Sequence, residues 1–441
     1  MEKTNEIKIS ALKGDKLFND FTPFVIDLYS PQPESDEKKC NADLICVIDI
    51  SGSMSGEKID LVKQSLKILV EMMDKNDRLA LIVFDNNASI LFGLEYTTDK
   101  TKKELIKKID EIEAQGGTNI LSGLEMAVEI LKQEKEKTNE NRVSSVLLLS
   151  DGCDNYSNDI VLAESLKKLT KGLSLSFTLN TFGYGYDHDP KIMNKLANIR
   201  DGSFFLVEDY KKVGEYFVTV LGGCVSVVSK KAELNVKVLN NNCKLIKIFG
   251  ADNLFSHELN PVSFKTTMLQ FICGKEYTFV LEINIDEQKV KIGEELLDIN
   301  FVYDDIYQNN KTVTINYKYK YELTDVQLAK ANEEYIRSQV YFVLDEALKL
   351  RQNYKIEEAK KLLENMEDWL KTKYKGGNKN YLEDVKKTMN LFRDEYTFQS
   401  KGVSYVTSNI RENISKRIGS TMAYSNKMQV NFSKKAKSHY S

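Results

Sequence analysis

The sequence lacks the features that mark membrane, secreted and nucleic-acid-binding proteins. No apolar run approaches the length needed to cross a bilayer, and the first residues lack the apolar core of a secretory signal. The formal net charge of -3 gives no general attraction to nucleic acid or to anionic membranes. We therefore expect a cytoplasmic protein without a transmembrane segment and without a nucleic-acid partner.

Two common kinds of ligand site are missing as well. The six cysteines form no C-x-x-C pair and only three histidines are present, so the residues argue against a zinc site and fit a reduced protein. No G-x-x-x-x-G-K-[ST] loop occurs, and the sequence Gly183-x-Gly185 lacks the third glycine of a dinucleotide site. A ligand site in this chain would therefore use a different chemistry from these.

The length and the changes of pattern along the chain indicate several domains. At 441 residues the chain is too long for one ordinary core. We predict N-terminal strands in residues 1–40, an α/β domain in 41–225, a β-sandwich in 226–322, a helical hairpin or three-helix unit in 323–399 and a basic, solvated tail in 400–441. Strands alternate with helices in the second segment, which predicts a doubly wound, mostly parallel, Rossmann-like sheet.

Three local predictions accompany this division. Strands near residues 7–12 and 24–28 are too few to form a domain, so we expect them to pair with the sandwich, which makes the α/β domain an insertion. Alternating polarity on both sides of residues 240–242 indicates a β-hairpin between strands 232–239 and 244–249. Helical spacing over 381–398 predicts one continuous helix.

The most informative stretch follows an apolar run at residues 44–48. Five apolar residues without alternation predict a strand buried on both faces, and Asp49, Ser51 and Ser53 come directly after it. Alternate residues of an extended turn point the same way, and Gly52 lets the backbone bend between them. Ligands of parallel sheets bind outside the carboxyl ends of the strands, so these oxygen atoms mark a candidate site.

Two further loops supply oxygen atoms of the same kind. Thr118 lies in the sequence Gly116-Gly117-Thr118-Asn119, and Asp151 follows the next apolar strand, in Ser150-Asp151-Gly152. Two carboxylates and three hydroxyls form a hard-oxygen set suited to Mg²⁺, with Mn²⁺ or Ca²⁺ as alternatives. Neutral hydroxyl ligands would leave the ion much of its charge and its attraction for an outside acid.

The pattern Asp49-x-Ser51-x-Ser53, with Thr118 and Asp151 in two later loops, resembles the metal-ion-dependent adhesion site of von Willebrand factor A domains. The resemblance implies that Ser51, Ser53 and Thr118 bind Mg²⁺ directly or through water. It implies that Asp49 and Asp151 hold coordinating waters, and that an aspartate or glutamate of a protein partner completes the octahedron.

A wider resemblance covers most of the chain. The sequences Thr181-Phe182-Gly183-Tyr184-Gly185 and Leu221-Gly222-Gly223, followed by β and helical segments, are similar to the intracellular branch of the family. That branch includes plant RING ubiquitin ligases and proteins that pair an A domain with a Hint-like module. This chain has neither a RING cysteine–histidine cluster nor a Hint module, so ligase activity is not expected.

The resulting hypothesis is an intracellular, Mg²⁺-dependent protein-interaction module without catalytic residues. One alternative is a metal-assisted hydrolase that uses His188, within Asp187-His188-Asp189-Pro190, as general base. The plainer interpretation of that segment is a helix start with proline in the first turn, and we favour it. Another alternative is a structural scaffold subunit that retains a vestigial metal site.

Overall fold

The computed structural model describes residues 7–30, 40–137, 142–171, 176–185, 188–207, 210–250, 256–306, 311–321, 328–374 and 379–414. The first two strands are β1 (Lys8–Lys13) and β2 (Thr22–Tyr29), which pair antiparallel. Among all the described residues, no helix is both long and apolar enough to span a bilayer.

An α/β domain follows. Its elements in chain order are β3 (Asn41–Asp49), α1 (Glu57–Met72), β4 (Arg78–Phe84), β5 (Ala88–Tyr96), α2 (Asp99–Asp110), α3 (Ile120–Lys137), β6 (Arg142–Ser150), α4 (Asp159–Thr170), β7 (Phe177–Tyr184), α5 (Pro190–Ile199), β8 (Phe204–Val207) and α6 (Tyr210–Val225). The sheet order is β5-β4-β3-β6-β7-β8, and every neighbouring pair is parallel except β4 with β5. The predicted fold class, a doubly wound and mostly parallel sheet, is confirmed.

Helices cover both faces of this sheet because the central strands are apolar on both sides. Along β3, Leu44, Cys46 and Ile48 pack with α1, α2 and α6, whereas Ile45 and Val47 pack with α3, α4 and α5. This alternation is the period of two expected along a strand. The carboxyl ends of β3 and β6 consequently meet at the middle of one sheet edge.

The next segment forms two packed antiparallel sheets. Its strands are β9 (Val227–Ser229), β10 (Ala232–Val238), β11 (Cys243–Ile248), β12 (Ser256–Asn260), β13 (Ser263–Met268), β14 (Phe271–Ile272), β15 (Glu276–Ile285), β16 (Glu295–Asp305) and β17 (Lys311–Lys320). One sheet has the order β1-β2-β15-β11 and the other β12-β13-β10-β16-β17, while β9 pairs with β14 in a separate two-stranded sheet. Phe24, Leu281, Leu234 and Phe301 contribute to the core that the two larger sheets share. Since β2 pairs with β15, the α/β domain is inserted in sequence between strands of one sandwich.

The hairpin predicted around residues 240–242 is wrong. The turn exists, because the Asn240 side chain accepts a hydrogen bond from the Asn242 amide (2.8 Å). However, β10 pairs with β13 and β16, while β11 pairs with β15 in the opposite sheet. The turn therefore carries the chain from one sheet to the other, a distinction that alternating polarity does not contain.

The C-terminal helices are α7 (Leu328–Gln352), α8 (Ile356–Thr372), α9 (Lys379–Leu391), the single turn α10 (Glu395–Thr397) and α11 (Val403–Ile414), with a wider π turn at Phe398–Gly402. The helix predicted over 381–398 ends at Leu391, because Asp394 caps a new turn by accepting from the Thr397 amide (2.8 Å).

The tail predicted from residue 400 is wrong over 403–414. These residues form α11, whose Val403, Val406 and Ile410 are buried. Their helical spacing was the available signal, and the prediction rested on the basic charge of the segment instead. Helix α11 contacts α7 and also α5 and β8 of the α/β domain. The rest of the predicted tail, 415–441, and residues 322–327, where the predicted sandwich meets the predicted helical segment, lie outside the described residues.

Candidate metal site and its family

Asp49 is fixed at the end of β3 by two hydrogen-bond donors. The Ser51 amide donates to Oδ1 (2.9 Å) and the Ser150 hydroxyl donates to Oδ2 (2.5 Å). The carboxylate has no solvent exposure. Burial raises its pKa to about 6, and nearby Asp151 adds to the rise, against the lowering effect of the hydrogen bonds. A cation bound next to Asp49 would offset the electrostatic cost of burying its carboxylate.

The two serines of the first loop lie side by side. Their hydroxyl oxygens are 3.1 Å apart, and Gly52–Met54 forms the single helical turn that brings them together. Ser51 is buried, whereas Ser53 is exposed. The pair thus extends from the protein interior to the solvent.

Backbone hydrogen bonds attach the second loop to the first. The Gln115 amide donates to the Ile50 carbonyl (2.5 Å), and the Gly52 amide donates to the Gly116 carbonyl (3.0 Å). Gly116 has φ +77°, and a Cβ there would lie 2.6 Å from Asp85 Oδ2, so glycine is required. Thr118 is buried in this loop, just before α3.

The third loop closes onto the second through Asn155. Its side-chain oxygen accepts from the Thr118 amide (2.7 Å), and its own amide donates to the Thr118 carbonyl (2.9 Å). Asp151, which has no solvent exposure, accepts from the Cys153 amide at Oδ1 (3.2 Å) and pairs through Oδ2 with the Lys58 ammonium (3.0 Å). The three loops that carry the candidate ligands are therefore joined at one sheet edge.

Several supporting residues were missed by the sequence reasoning. Ser150 binds Asp49, Asn155 binds the backbone of Thr118, and Asp154 Oδ1 accepts from the Ile120 amide (2.8 Å). The available signal was their position, since all three are polar residues at or just after the end of a buried strand. Nothing in the sequence indicated their partners.

The donor set suits a hard cation. It combines two desolvated carboxylates with adjacent hydroxyls, and Mg²⁺ prefers oxygen ligands while retaining some of its waters. Within the described residues, no group of three or more His, Cys, Asp or Glu side chains could hold a metal ion. A cation at this edge would therefore depend on hydroxyl oxygen atoms. The individual ligand roles of Asp49, Ser51, Ser53, Thr118 and Asp151 stay a prediction.

Comparison with known proteins decides the family of this region. Residues 43–218 match the family model of the von Willebrand factor type A domain. The inserted α/β domain is a von Willebrand factor type A domain. The structure of a von Willebrand factor type A protein from Catenulispora acidiphila covers 95% of this chain and 99% of its own, with a TM-score of 0.66 and 13% identity. That likeness extends the shared fold beyond the A domain to the sandwich and helices.

Curated relatives match over shorter spans. The protein sll0103 of Synechocystis is 29% identical over 176 residues, which are 40% of this chain and 40% of that protein. YfbK of Escherichia coli is 25% identical over 275 residues, 61% of this chain and 46% of YfbK. The chain thus spans less than half the length of these relatives. The finer resemblance to the intracellular branch stays a prediction.

In the A domain, His188 is a packed residue at the start of α5. It is 4% exposed, its Nδ1 lies 2.6 Å from the Gly185 carbonyl oxygen, and its ring contacts Phe204. Asp189 caps the helix by accepting from the Lys191 amide (2.8 Å), with Pro190 at the first position. This geometry is that of a helix start, the interpretation we favoured. Asp187 lies outside the described residues.

Proposed function

We propose that the A domain is a Mg²⁺-dependent protein-interaction module that captures an aspartate or glutamate of a partner protein. The observation behind the proposal is the junction of three loops at one sheet edge, with Asp49 and Asp151 desolvated and the Ser51 and Ser53 hydroxyls adjacent. The ion, when bound, would supply a positive centre with a coordination position open to an outside acid.

The five candidate residues would have two different roles in binding the ion. Ser51, Ser53 and Thr118 would bind the ion through neutral oxygen atoms, which preserves its charge, while Asp49 and Asp151 would hold its waters. The Ser51 amide and the Ser150 hydroxyl both donate to Asp49, and these hydrogen bonds fix its orientation. Such preorganisation lowers the cost of binding.

The proposal includes a non-catalytic role and an intracellular setting. His188, the one candidate general base, is enclosed beneath the sheet edge against Gly183 and Phe204, which favours binding over hydrolysis. All six cysteines are free thiols, which fits a reducing compartment. The sandwich and helices would form a frame that presents the A domain.

Affinity capture with the full chain tests the function. Immobilised protein is incubated with cell lysate in Mg²⁺ and then washed with EDTA, with Asp49→Ala as the matched control. We expect a partner that elutes with EDTA and is not retained by Asp49→Ala. Replacement of the exposed acids of that partner, one at a time, by Asn or Gln should identify one that is required. Partners retained equally in EDTA would contradict the proposal and favour a scaffold with a vestigial site.

A further inference from the structure

Lys58 reaches into the candidate metal site from an element that the motif does not include. It lies in the first turn of α1, and its Nζ is 3.0 Å from Asp151 Oδ2. Its side chain is only 17% exposed and that of Asp151 is fully buried. By contrast, the Lys195–Asp159 pair between α5 and α4 has exposures of 41% and 35%. The Lys58 pair is a desolvated ion pair, not a surface contact.

Lys58 lies where the charge distribution of its own helix does not favour a cation. The N-terminus of a helix carries partial positive charge, so acids are stabilising in the first turn and cations are not. Helix α1 follows this rule with Glu57 and Asp60, and Lys58 between them breaks it. The ion pair with the buried carboxylate of Asp151 offsets this unfavourable position.

We propose that Lys58 is a tethered cation that competes with Mg²⁺ for Asp151 and so weakens metal binding. This inference rests on the proposed function. Lys58 brings a positive charge to a carboxylate that the ion would also need. That charge weakens metal binding, and it makes capture of an acidic side chain more favourable.

In this arrangement, binding of the Mg²⁺ ion and binding of the partner's acidic side chain depend on each other. The acid of a partner neutralises the positive charge that Lys58 contributes, so the metal and the partner stabilise each other's binding. Coupling of this kind is reciprocal by thermodynamic necessity. Lys58 would then keep the site weakly loaded until a partner arrives.

Calorimetric titration of the full chain with Mg²⁺ alone at pH 7.5 tests the inference. Lys58→Gln removes the charge and keeps a hydrogen-bond donor for Asp151. We expect it to bind Mg²⁺ about tenfold more tightly than the wild type, the effect of one charge a few ångströms away in a partly solvated site. Lys58→Arg keeps the charge and should bind as the wild type does. Lys195→Gln, which breaks an ion pair outside the site, should also leave the affinity unchanged.

The outcomes separate this inference from the function on which it rests. If the wild type binds Mg²⁺ and Lys58→Gln binds it equally or more weakly, Lys58 is not a competitor and the metal site stands. If only Lys58→Gln binds, and adding Asp49→Ala abolishes that binding, the competition is supported in its strongest form. If neither protein binds Mg²⁺ at millimolar concentration, both the inference and the metal site are refuted.

Discussion

At the scale of single residues, hydrogen bonds within the protein orient the carboxylate at the centre of the candidate site. Both oxygen atoms of Asp49 accept hydrogen bonds, one from the loop that follows it and one from Ser150 at the end of the neighbouring strand. The cost of burying its charge is visible in a pKa raised to about 6. A site that already contains desolvated negative charge gains electrostatically from a cation, and this is the basis of the first prediction.

We predict that Mg²⁺ raises the melting temperature of the wild type and not that of Asp49→Ala or Ser51→Ala. A ligand at 100 times its dissociation constant stabilises the native state by about 2.7 kcal/mol. The shift should decline as the pH falls below about 6, because the raised pKa of Asp49 means that its carboxylate is then protonated and binds cations poorly. Thermal unfolding in EDTA and in millimolar Mg²⁺ measures this.

The matched control for that measurement is Ser55→Ala. Ser55 is exposed, lies two residues beyond Ser53 and is not part of the motif, so its Mg²⁺-dependent shift should equal that of the wild type. An undiminished shift in Asp49→Ala would place the ion elsewhere in the chain.

The five motif residues could be predicted from the sequence, because their types and order are local and follow the ends of apolar strands. Ser150, Asn155 and Lys58 could not, although each binds a motif residue. Lys58 and Asp151 are 93 positions apart. The types and order of the candidate ligands can be read from the sequence, while the groups that contact them depend on how the loops meet.

At the scale of elements, the packing of α3 against the sheet positions the loop that carries Thr118. Thr118 lies two residues before this helix, and Gly123 is a position where the helix lies close against the sheet. A Cβ at Gly123 would lie 2.6 Å from Val47 Cγ1 and 2.9 Å from Phe84 Cδ1. Both side chains are fully buried and have little room to move.

We predict that Gly123→Ala destabilises the fold by about 1–3 kcal/mol, because overpacking against the sheet outweighs the gain in helix propensity. Gly214→Ala in α6 is the matched control. Among the described residues, a Cβ there would meet only Ile68 Cγ2, at 3.6 Å, so helix propensity should stabilise that variant by about 0.5–1 kcal/mol. Denaturant unfolding measures both free energies, and equal effects at the two glycines would contradict the close approach of α3.

The positions of the strands along the chain were predicted better than the strands with which they pair. The strands on both sides of residues 240–242 exist, yet they belong to different sheets. Alternating polarity reports that one face of a strand is buried, and it is the same whether the next strand pairs with it or crosses the core. In the parallel sheet the ambiguity is smaller, because crossover helices restrict the topology.

At the scale of the whole molecule, buried polar contacts join the helices to the sandwich. Glu282 of β15 is 3% exposed and accepts from the Tyr335 hydroxyl (2.6 Å) and the Gln339 side chain (3.1 Å), both on α7. Helix α11 packs on α7 and also contacts α5 and β8 of the A domain. Because the helices contact both the sandwich and the A domain, we expect the three parts to unfold together.

The single tryptophan makes that expectation testable. Trp369 lies in α8, and its ring stacks on Phe18 from the segment between β1 and β2, with centroids 4.2 Å apart. It therefore reports the junction of the helices with the N-terminal strands and is not part of the metal site. We predict that Mg²⁺ raises the midpoint of the Trp369 fluorescence transition by the same amount as that of the circular dichroism transition, and raises neither in Asp49→Ala. If Mg²⁺ moved the dichroism transition alone, the A domain would unfold separately, and binding at its sheet edge could not be transmitted through the frame.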